Sequence, residues 1–248
     1  MEGSNYIEGR NPVLEALKSG REIEKIIIAT GTKEGSINKI VGMARDKNIM
    51  IQNVDRSKLD SMSDTHAHQG VIAIAASYTY KTVEDILDFA KEKGEAPFII
   101  VLDEIEDPHN LGAIIRSAEC AGAHGVIIPK RRSVGVTPVV AKTSAGAIEY
   151  LPVAKVTNIS ATIEMLKKEN IWVYGADVEG ENYYYEKDLR GPIALVIGNE
   201  GKGMSRIVKE KCDFLIKIPV LGNVSSLNAS VAASILTYDV VRQRGLSQ

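Results

Sequence analysis

A regular alternation of short apolar segments and amphipathic segments fills the chain from Phe98 onward. Three of the apolar segments read FIIVLDEI, GVIIP and IALVIG. Runs of this length, rich in Ile and Val, are typical of strands buried on both faces. Between them, residues such as Leu111, Ile114 and Ala118 recur at helical spacing. We therefore predict helices at Asn110–Ala121, Thr137–Ile148, Ile159–Lys168, Gly203–Glu210 and Ser226–Arg242. The alternation predicts an α/β fold, in which helices cover both faces of a parallel sheet.

A smaller pattern occupies residues 1–76. Asn11 and Pro12 predict the capped start of a first helix. The elements expected after it are a strand at Ile23–Ala29, a helix at Ser36–Lys47, a strand at Ile49–Val54, a short helix from Arg56 and a strand at Gly70–Ala76. This order predicts a small α/β sandwich.

Residues 77–96 have the character of a linker. The segment starts with the polar and aromatic SYTYKT, continues through a short charged helical pattern and reaches Pro97 through Gly94. We therefore expect a small domain at 1–76, a linker at 77–96 and a larger domain at 97–248.

The overall charge does not point to a nucleic-acid partner. The formal net charge is −2, and ten basic residues balance ten acidic ones across positions 1–76. Because many nucleic-acid binders are strongly basic, any RNA contact must come from a local patch. Lys130, Arg131 and Arg132 form one such patch, which is either a solvated loop or a binding site.

Secreted and membrane-spanning proteins are disfavoured by the sequence. The first residues include early acidic ones and lack the apolar run of a signal peptide, and no stretch is long and apolar enough to span a bilayer, so we expect a cytoplasmic protein.

His66 and His68 form an isolated pair without a third ligand nearby, so we interpret them as loop or surface residues and predict no metal site.

The first polar stretch runs from Asp107 to Arg116. Asn110 stands at the expected N-cap position of a helix. A capping role would explain an Asn here without any functional role for its side chain. Arg116 has apolar neighbours and is expected near the core-facing edge of the helix. An Arg placed there needs an anionic partner, which is either a structural carboxylate or a ligand phosphate.

The second stretch follows the apolar segment IALVI and contains three glycines between Gly198 and Gly203. Glycines permit left-handed turns and close approach of the backbone to a ligand. The spacing is neither that of a Walker A loop nor that of a dinucleotide-binding GxGxxG loop. Glu200, in the middle, would repel a phosphate and suits a cationic or hydroxyl-bearing ligand.

The third stretch, IPVLGNVSSLNAS, leads into the last helix. Ser225 or Ser226 is expected to cap that helix. A single N-cap explains why one of these residues is polar, but it does not explain why Asn228 and Ser230 are polar as well. All three stretches follow predicted strands, and ligands of open parallel sheets bind outside the carboxyl ends of the strands.

Together the three stretches resemble the SpoU, or TrmH-like, branch of the SPOUT methyltransferases. The matching segments read NLGAIIRSAECAGAHGVIIP, ALVIGNEGKGMS and IPVLGNVSSLNASVAASILTYDVVRQR, in the order and spacing of that family, and they cover roughly residues 98–244. IEGRNPVLEAL and GVIAIAA are similar to the small substrate-binding domain of two-domain members, which methylate ribosomal or transfer RNA. Within the branch, the resemblance is to the RlmB-like group, which acts on a guanosine of large-subunit rRNA.

The resemblance implies a fold, a cofactor and partners. The larger domain would be a parallel-sheet SPOUT domain with a deep C-terminal trefoil knot, and residues 1–76 would form a ribosomal protein L30e-like domain that binds the RNA substrate. The protein would be a homodimer that uses S-adenosyl-L-methionine and acts on RNA, either rRNA or tRNA, with no DNA or membrane partner.

The resemblance also implies roles for individual residues. Asn110 and Arg116 match the functional pair of the first motif, Glu200 the acid of the second, and Ser226, Asn228 and Ser230 the polar set of the third. Contacts to the cofactor, largely through backbone groups, are implied at Thr143, Ser144, Gly146, Ile197, Gly198, Asn199, Gly201, Ile218, Ser226 and Leu227.

The implied reaction is methyl transfer to a ribose 2′-hydroxyl, with a guanosine of 23S rRNA as the expected target. A guanidinium stays protonated, so we expect Arg116 to clamp a phosphate and stabilise the developing alkoxide. A tRNA 2′-O-methyltransferase, a non-catalytic RNA-binding protein and a small-molecule methyltransferase are the alternatives. The absence of GxGxxG after the first strand of the larger domain disfavours a Rossmann-type oxidoreductase.

Overall fold

The computed structural model describes residues 6–18, 22–32, 35–63, 67–75 and 78–245. The chain divides into two compact units, residues 1–79 and residues 80–248. Residues 80–96, which the sequence places in a linker, fall in the second unit. Among the described helices, none has the length and apolar character that crossing a bilayer requires.

The first unit is a four-stranded sheet with helices on both faces. Its elements are β1 (Tyr6–Glu8), α1 (Arg10–Lys18), β2 (Ile23–Ala29), α2 (Ser36–Asp46), β3 (Met50–Val54), α3 (Arg56–Met62) and β4 (Val71–Ala75). The strand order is β1-β4-β2-β3, with β2 parallel to β3 and β4 antiparallel to both β1 and β2. Residues of α1 and α2 share a buried cluster with one face of this sheet, and Leu59 of α3 packs in another with Ile27 and Ile72.

Two details of this unit differ from the sequence-based expectation. Helix α1 begins at Arg10, so Asn11 lies inside it rather than at its cap. His68 lies in a loop, one of the two expected settings, but it is buried rather than on the surface. Its Nε2 lies 2.8 Å from Asp60 Oδ1, and its Nδ1 accepts a 3.0 Å hydrogen bond from the backbone of Gly70. His66 lies outside the described residues.

The second unit contains a seven-stranded parallel sheet. Its helices are α4 (Val83–Glu92), α5 (Pro108–Cys120), α6 (Pro138–Thr143), α7 (Ile159–Lys168), α8 (Arg206–Lys211) and α9 (Ala229–Arg244). Its strands are β5 (Phe98–Asp103), β6 (Gly125–Pro129), β7 (Val153–Val156), β8 (Trp172–Ala176), β9 (Asn182–Tyr183), β10 (Ile193–Gly198) and β11 (Phe214–Lys217). They lie in the order β7-β6-β5-β10-β8-β11-β9, and the predicted α/β fold with a parallel sheet is confirmed.

The core of this unit is mainly aliphatic, because aromatic residues make up only 5% of the chain. Val101, Ile127 and Val196, from three neighbouring strands, are fully buried in one cluster. Ile86 of α4 belongs to the same cluster. A Cβ added at Gly125 would come within 2.5 Å of Ile86 Cδ1, so glycine at that position lets α4 lie close to the sheet.

Several helix boundaries differ from the sequence-based predictions, each for a local reason. Helix α5 starts at Pro108 because Asp107, rather than Asn110, is its N-cap and accepts a 2.6 Å hydrogen bond from the backbone of His109. The predicted helix at 137–148 stops at Thr143, because Ala145 and Gly146 adopt positive φ angles of 51° and 90°.

The last two helices start later than predicted. Helix α8 begins at Arg206 rather than Gly203, because Gly203 pairs with Asn199 in an antiparallel bridge. Helix α9 begins at Ala229 because Asn228, rather than Ser225 or Ser226, is its N-cap. The Asn228 Oδ1 accepts hydrogen bonds from the backbone of Ser230 at 2.9 Å and of Val231 at 3.2 Å.

A buried histidine links the start of β5 to the residues before it. His124 is fully buried, and its Nδ1 accepts a 3.0 Å hydrogen bond from the backbone N–H of Phe98. The ring proton is therefore on Nε2, which donates to Glu95 Oε2 at 3.1 Å. Burial lowers the pKa of His124, although the hydrogen bond to Glu95 opposes the shift.

We expect the stability of the protein to fall as the pH drops below about 6.5, the ordinary pKa of histidine. Below that pH the unfolded chain binds a proton that the folded His124 resists, so the free energy of unfolding decreases. Thermal unfolding between pH 7.5 and 5.5 measures the effect. A His124→Asn variant, whose Oδ1 can still accept from Phe98, should show a shallower dependence, and equal slopes for the two proteins would contradict this account.

Candidate functional site

The carboxyl ends of β5 and β10 meet at the point where the order of the sheet reverses. After β5, the chain adds β6 and then β7 on one side of β5. It next forms β8 on the other side, and β10 later inserts between β5 and β8. Strand β10 is hydrogen bonded to both β5 and β8. Such a switch point leaves a crevice outside the strand ends, where ligands of open α/β sheets bind.

The three polar stretches meet at this place through one carboxylate. Glu200 Oε1 accepts hydrogen bonds from Asn110 Nδ2, from Asn228 Nδ2 at 2.5 Å and from the backbone N–H of Ala229 at 3.3 Å. Asn228 Nδ2 also lies 3.1 Å from Asn110 Oδ1. Side chains separated by 90 and 28 residues in sequence therefore form a single polar cluster, which we call the Glu200 cluster (Asn110, Glu200 and Asn228).

Two helix starts hold the Glu200 cluster in place. Asn110 lies in the first turn of α5, where its backbone N–H donates to Asp107 Oδ1 at 3.3 Å. Asn228 caps α9, and the carboxylate of Glu200 lies at the start of that helix, where exposed N–H groups and the helix dipole favour a negative charge. All three side chains are exposed or half-exposed, so the cluster can reach a ligand.

The glycine-rich turn after β10 is a tight hairpin-like loop. Asn199 and Gly203 exchange two backbone hydrogen bonds of 3.0 and 2.8 Å, and Asn199 Oδ1 accepts from the backbone of Gly201 at 2.9 Å. A Cβ added at Gly198 would lie 2.3 Å from the carbonyl carbon of Gly203 and from the backbone nitrogen of Met204. Position 198 therefore requires glycine, because the backbone of Gly203 and Met204 leaves no room for a side chain.

A cavity of about 340 Å³ opens beside the cluster at the carboxyl ends of β8, β10 and β11. Among the predicted site residues, those that line it are Ile197, Gly198, Asn199, Glu200, Gly201, Ile218, Ser226 and Leu227. Val220, Ser225, Ser226 and Leu227, which also line it, take part in none of the backbone hydrogen bonds found among the described residues. Their N–H and C=O groups are thus available to a ligand.

The cavity also has a charged wall that the sequence analysis missed. Lys209 Nζ lies 2.6 Å from Asp177 Oδ2 and 3.5 Å from Glu179 Oε2, and all three residues line the cavity. The hydrogen bond to Asp177 raises the pKa of Lys209. Asp177 directly follows β8, so the rule that ligands bind at strand ends could have identified it, but the pairing with Lys209 has no sequence signal.

The predicted residues of α6 and its C-terminus lie elsewhere. Thr143, Ser144 and Gly146 are not among the residues that line the cavity. Thr143 Oγ1 lies 3.5 Å from His109 Nδ1 on α5, and the buried Ser144 donates its hydroxyl to the carbonyl of Ala141 at 2.9 Å. Thr143 therefore contacts α5 rather than the cavity.

Arg116 is exposed, so the expectation that it lies near the core-facing edge of its helix is wrong. Residues 111, 114, 115 and 118 form the buried face of α5, and at 100° per residue position 116 points roughly 150° away from it. No described residue hydrogen bonds or ion-pairs with its side chain.

Ser230, another predicted site residue, donates its hydroxyl to Asn228 Oδ1 at 2.6 Å.

A parallel sheet with a polar cluster and a cavity at its switch point is typical of α/β proteins that bind a ligand at the strand ends. The chain belongs to the SpoU rRNA methylase family, whose model matches residues 97–238. A second model, for RNA 2′-O ribose methyltransferase substrate binding, matches residues 6–81. The resemblance of the three stretches to the SpoU, or TrmH-like, methyltransferases is therefore confirmed.

Relatives of known sequence match the chain over nearly its whole length. YacO of Bacillus subtilis (strain 168), whose name places it in the TrmH family of tRNA/rRNA methyltransferases, is 52% identical over 97% of this chain and 96% of its own length. A Staphylococcus saprophyticus protein with the same family name is 49% identical over 96% and 95% of the two chains.

Solved structures share the fold. The SpoU methyltransferase AviRb from Streptomyces viridochromogenes superposes with a TM-score of 0.62 at 25% identity, covering 98% of this chain and 90% of that one. A structure described as an RNA 2′-O ribose methyltransferase gives 0.55 at 28% identity over 96% and 88%. AviRb has also been solved in complex with the cofactor AdoMet, and that structure has a TM-score of 0.61 at 24% identity over 96% and 90%.

Proposed function

We propose that the protein is an S-adenosyl-L-methionine-dependent RNA 2′-O-ribose methyltransferase that acts on a guanosine of 23S rRNA. The observation that carries this proposal is the convergence of Asn110, Glu200 and Asn228 on one another beside a cavity at the switch point. Membership of the SpoU rRNA methylase family supports the reaction class. The match of residues 6–81 to a 2′-O ribose methyltransferase substrate-binding model supports both the ribose target and an RNA-binding role for the first unit.

The residues that line the cavity fit the cofactor. S-adenosyl-L-methionine carries an adenosine and a cationic methionine end, and when bound it supplies an electrophilic methyl group on a sulfonium. The backbone groups of Val220 and of residues 225–227 can pair with the edge of an adenine, and Ile197, Ile218 and Leu227 provide apolar contact. Glu179, which is largely exposed, and Glu200 offer carboxylates for positive charge.

The chain's own side chains bind and orient the acceptor nucleotide in this proposal. Arg116 has no described partner, so its planar guanidinium is free to bind a phosphate through two parallel hydrogen bonds. Its fixed charge also stabilises the oxyanion that forms as the ribose hydroxyl loses its proton, and the bound phosphate can help to draw off that proton. The Glu200 cluster positions the ribose, and positioning by itself lowers the barrier substantially.

Three structural features complete the proposal. We infer that the segment containing β11 and α9 is threaded as a deep C-terminal trefoil knot, that the first unit has the ribosomal protein L30e-like fold, and that the protein is a homodimer. Val231 and Tyr238 of α9 are about half exposed, at 46% and 51%. Apolar surface of this kind on a helix supports an interface with a second copy.

Transfer RNA is the second candidate substrate, because the names of the relatives cover both tRNA and rRNA. Mapping ribose methylation in both RNA classes from a deletion strain distinguishes the two. We expect one 2′-O-methylguanosine to disappear from 23S rRNA and to return when the wild-type gene is restored. Loss of a methylated ribose from tRNA, with the 23S rRNA pattern unchanged, would contradict the rRNA assignment.

A further inference from the structure

The region around α6 is basic and free of carboxylates. Between Glu119 and Glu149 the chain has no acidic residue, although the whole chain carries a net charge of −2. The four cations in this region are Lys130, Arg131, Arg132 and Lys142, and all four are exposed. We call residues 130–142, which include all four, the basic segment.

Three of the four cations have no carboxylate partner among the described residues. Arg132 Nη1 lies 3.2 Å from Glu104 Oε1, whereas Lys130, Arg131 and Lys142 form no ion pair or side-chain hydrogen bond in the described part of the chain. Elsewhere in the same unit, cations with a carboxylate within 4 Å include Lys167, Arg190, Arg206, Lys209, Lys211 and Arg242. The basic segment therefore presents charge that its own unit does not neutralise.

The backbone of the basic segment is held in place at several points. The backbone N–H of Lys130 donates to the carbonyl of Val156 at 2.8 Å, that of Val134 to Ile105 at 2.9 Å, and that of Val136 to the hydroxyl of Tyr80 at 2.7 Å. A loop fixed in this way loses little backbone entropy when its side chains bind a ligand.

The segment lies on the same edge of the sheet as the Glu200 cluster. It follows β6, which is parallel to β5, so both strands end on the same side as β10. Adjacent strands are about 4.8 Å apart, which places the end of β6 roughly 10 Å from the end of β10. Two contacts bring it nearer: Arg132 binds Glu104, whose carbonyl accepts from Asn199 at 2.9 Å, and Thr143, next to Lys142, approaches His109.

We propose that the basic segment binds the phosphate backbone of the RNA substrate next to the target nucleotide, through Lys130, Arg131 and Lys142. This inference rests on the proposed function, because it assigns a surface to the RNA that the Glu200 cluster would methylate. Lys and Arg contacts to phosphates raise affinity without reading sequence, and they make binding dependent on salt. A basic segment that is merely solvated would leave RNA binding unchanged when its charges are removed.

The test compares a Lys130→Ala/Arg131→Ala double variant with wild type in binding to an unmodified 23S rRNA transcript. Each phosphate contact to single-stranded RNA contributes about 0.7 to the slope of log K against log salt. We expect the double variant to reduce the magnitude of that slope by about 1.4, to weaken RNA binding at least tenfold and to leave cofactor affinity unchanged. A Lys130→Arg/Arg131→Lys variant, which keeps both charges, should retain most of the wild-type slope.

A matched control removes two exposed lysines from helices away from the site, Lys91 on α4 and Lys168 on α7. The Lys91→Ala/Lys168→Ala variant should bind RNA with the wild-type slope. An unchanged slope for the Lys130/Arg131 variant, or an equal decrease in the control, would overturn the inference while leaving the proposed reaction intact. If wild type binds RNA but transfers no methyl group to any RNA, the proposed function fails, and the slopes still decide whether this surface binds phosphates.

Discussion

Replacing Arg116 with alanine should reduce the rate of methyl transfer to a small fraction of the wild-type rate while leaving the affinity for S-adenosyl-L-methionine near the wild-type value. The side chain is exposed, has no described partner and does not line the cavity, so its removal does not disturb the cofactor site. If it stabilises the developing alkoxide, losing it lowers the rate of transfer by about 10²–10³-fold, the usual effect of removing one such group. The free energy of unfolding should change by less than about 0.5 kcal/mol, as for other surface substitutions.

The measurements are cofactor affinity by calorimetry and transfer of a labelled methyl group to RNA under single-turnover conditions. Arg116→Lys keeps the charge but not the planar fork that binds a phosphate at two points, so we expect an intermediate rate. Lys91→Ala, which removes a cation from the surface of α4, should transfer at the wild-type rate. Transfer by Arg116→Ala within a factor of three of wild type would contradict the phosphate-clamp role.

The second large effect is expected at Gly198. An alanine there would place its Cβ 2.3 Å from backbone atoms of Gly203 and Met204, and neither can move like the end of a flexible side chain. The turn between Asn199 and Gly203 must open, which displaces Glu200 and the residues that line the cavity. We expect cofactor binding to be lost and the protein to be destabilised by about 1–3 kcal/mol, the usual range for overpacking.

Gly191→Ala is the matched control, because a Cβ at Gly191 meets no atom within 4 Å. Its thermal midpoint and cofactor affinity should stay close to those of wild type. Calorimetric titration of the cofactor and thermal unfolding of both variants decide the matter. A Gly198→Ala protein that binds the cofactor with wild-type affinity would show that the turn does not form the site.

Some elements could be predicted residue for residue. Strands Ile23–Ala29, Gly125–Pro129 and Ile193–Gly198 and helix Ile159–Lys168 have the predicted bounds. Each is a run of one periodicity that ends at a polar or conformationally special residue. Strand β9, with only two residues and no apolar alternation, was not predicted, because it depends on pairing with β11.

The helix caps were harder to predict because several candidates stand side by side. Asp107 and Asn110 both favour an N-cap, as do Ser226 and Asn228, and local propensity does not choose between them. The choice at α9 depends on a distant residue, since Asn228 also donates to Glu200. A cap that is at the same time part of the Glu200 cluster is selected by tertiary structure.

The meeting of the three stretches could be predicted only in part. The rule that ligands bind at the carboxyl ends of strands places all of them on one edge of the sheet. It does not say that β10 inserts between β5 and β8, and that insertion is what brings Glu200 to Asn110. The same limit explains why the pair of Asp177 and Lys209 was missed, because the position of α8 relative to the end of β8 must be known before these two side chains can be matched.

The most direct test of the central claim is to find which atom of the RNA receives the methyl group. Purified wild-type protein, labelled S-adenosyl-L-methionine and an unmodified 23S rRNA transcript should yield label in a single 2′-O-methylguanosine after digestion to nucleosides. A transcript with 2′-deoxyguanosine at that position alone should accept no label, because the attacking hydroxyl is gone. Label recovered on a base, or retained by the 2′-deoxy transcript, would contradict ribose methylation.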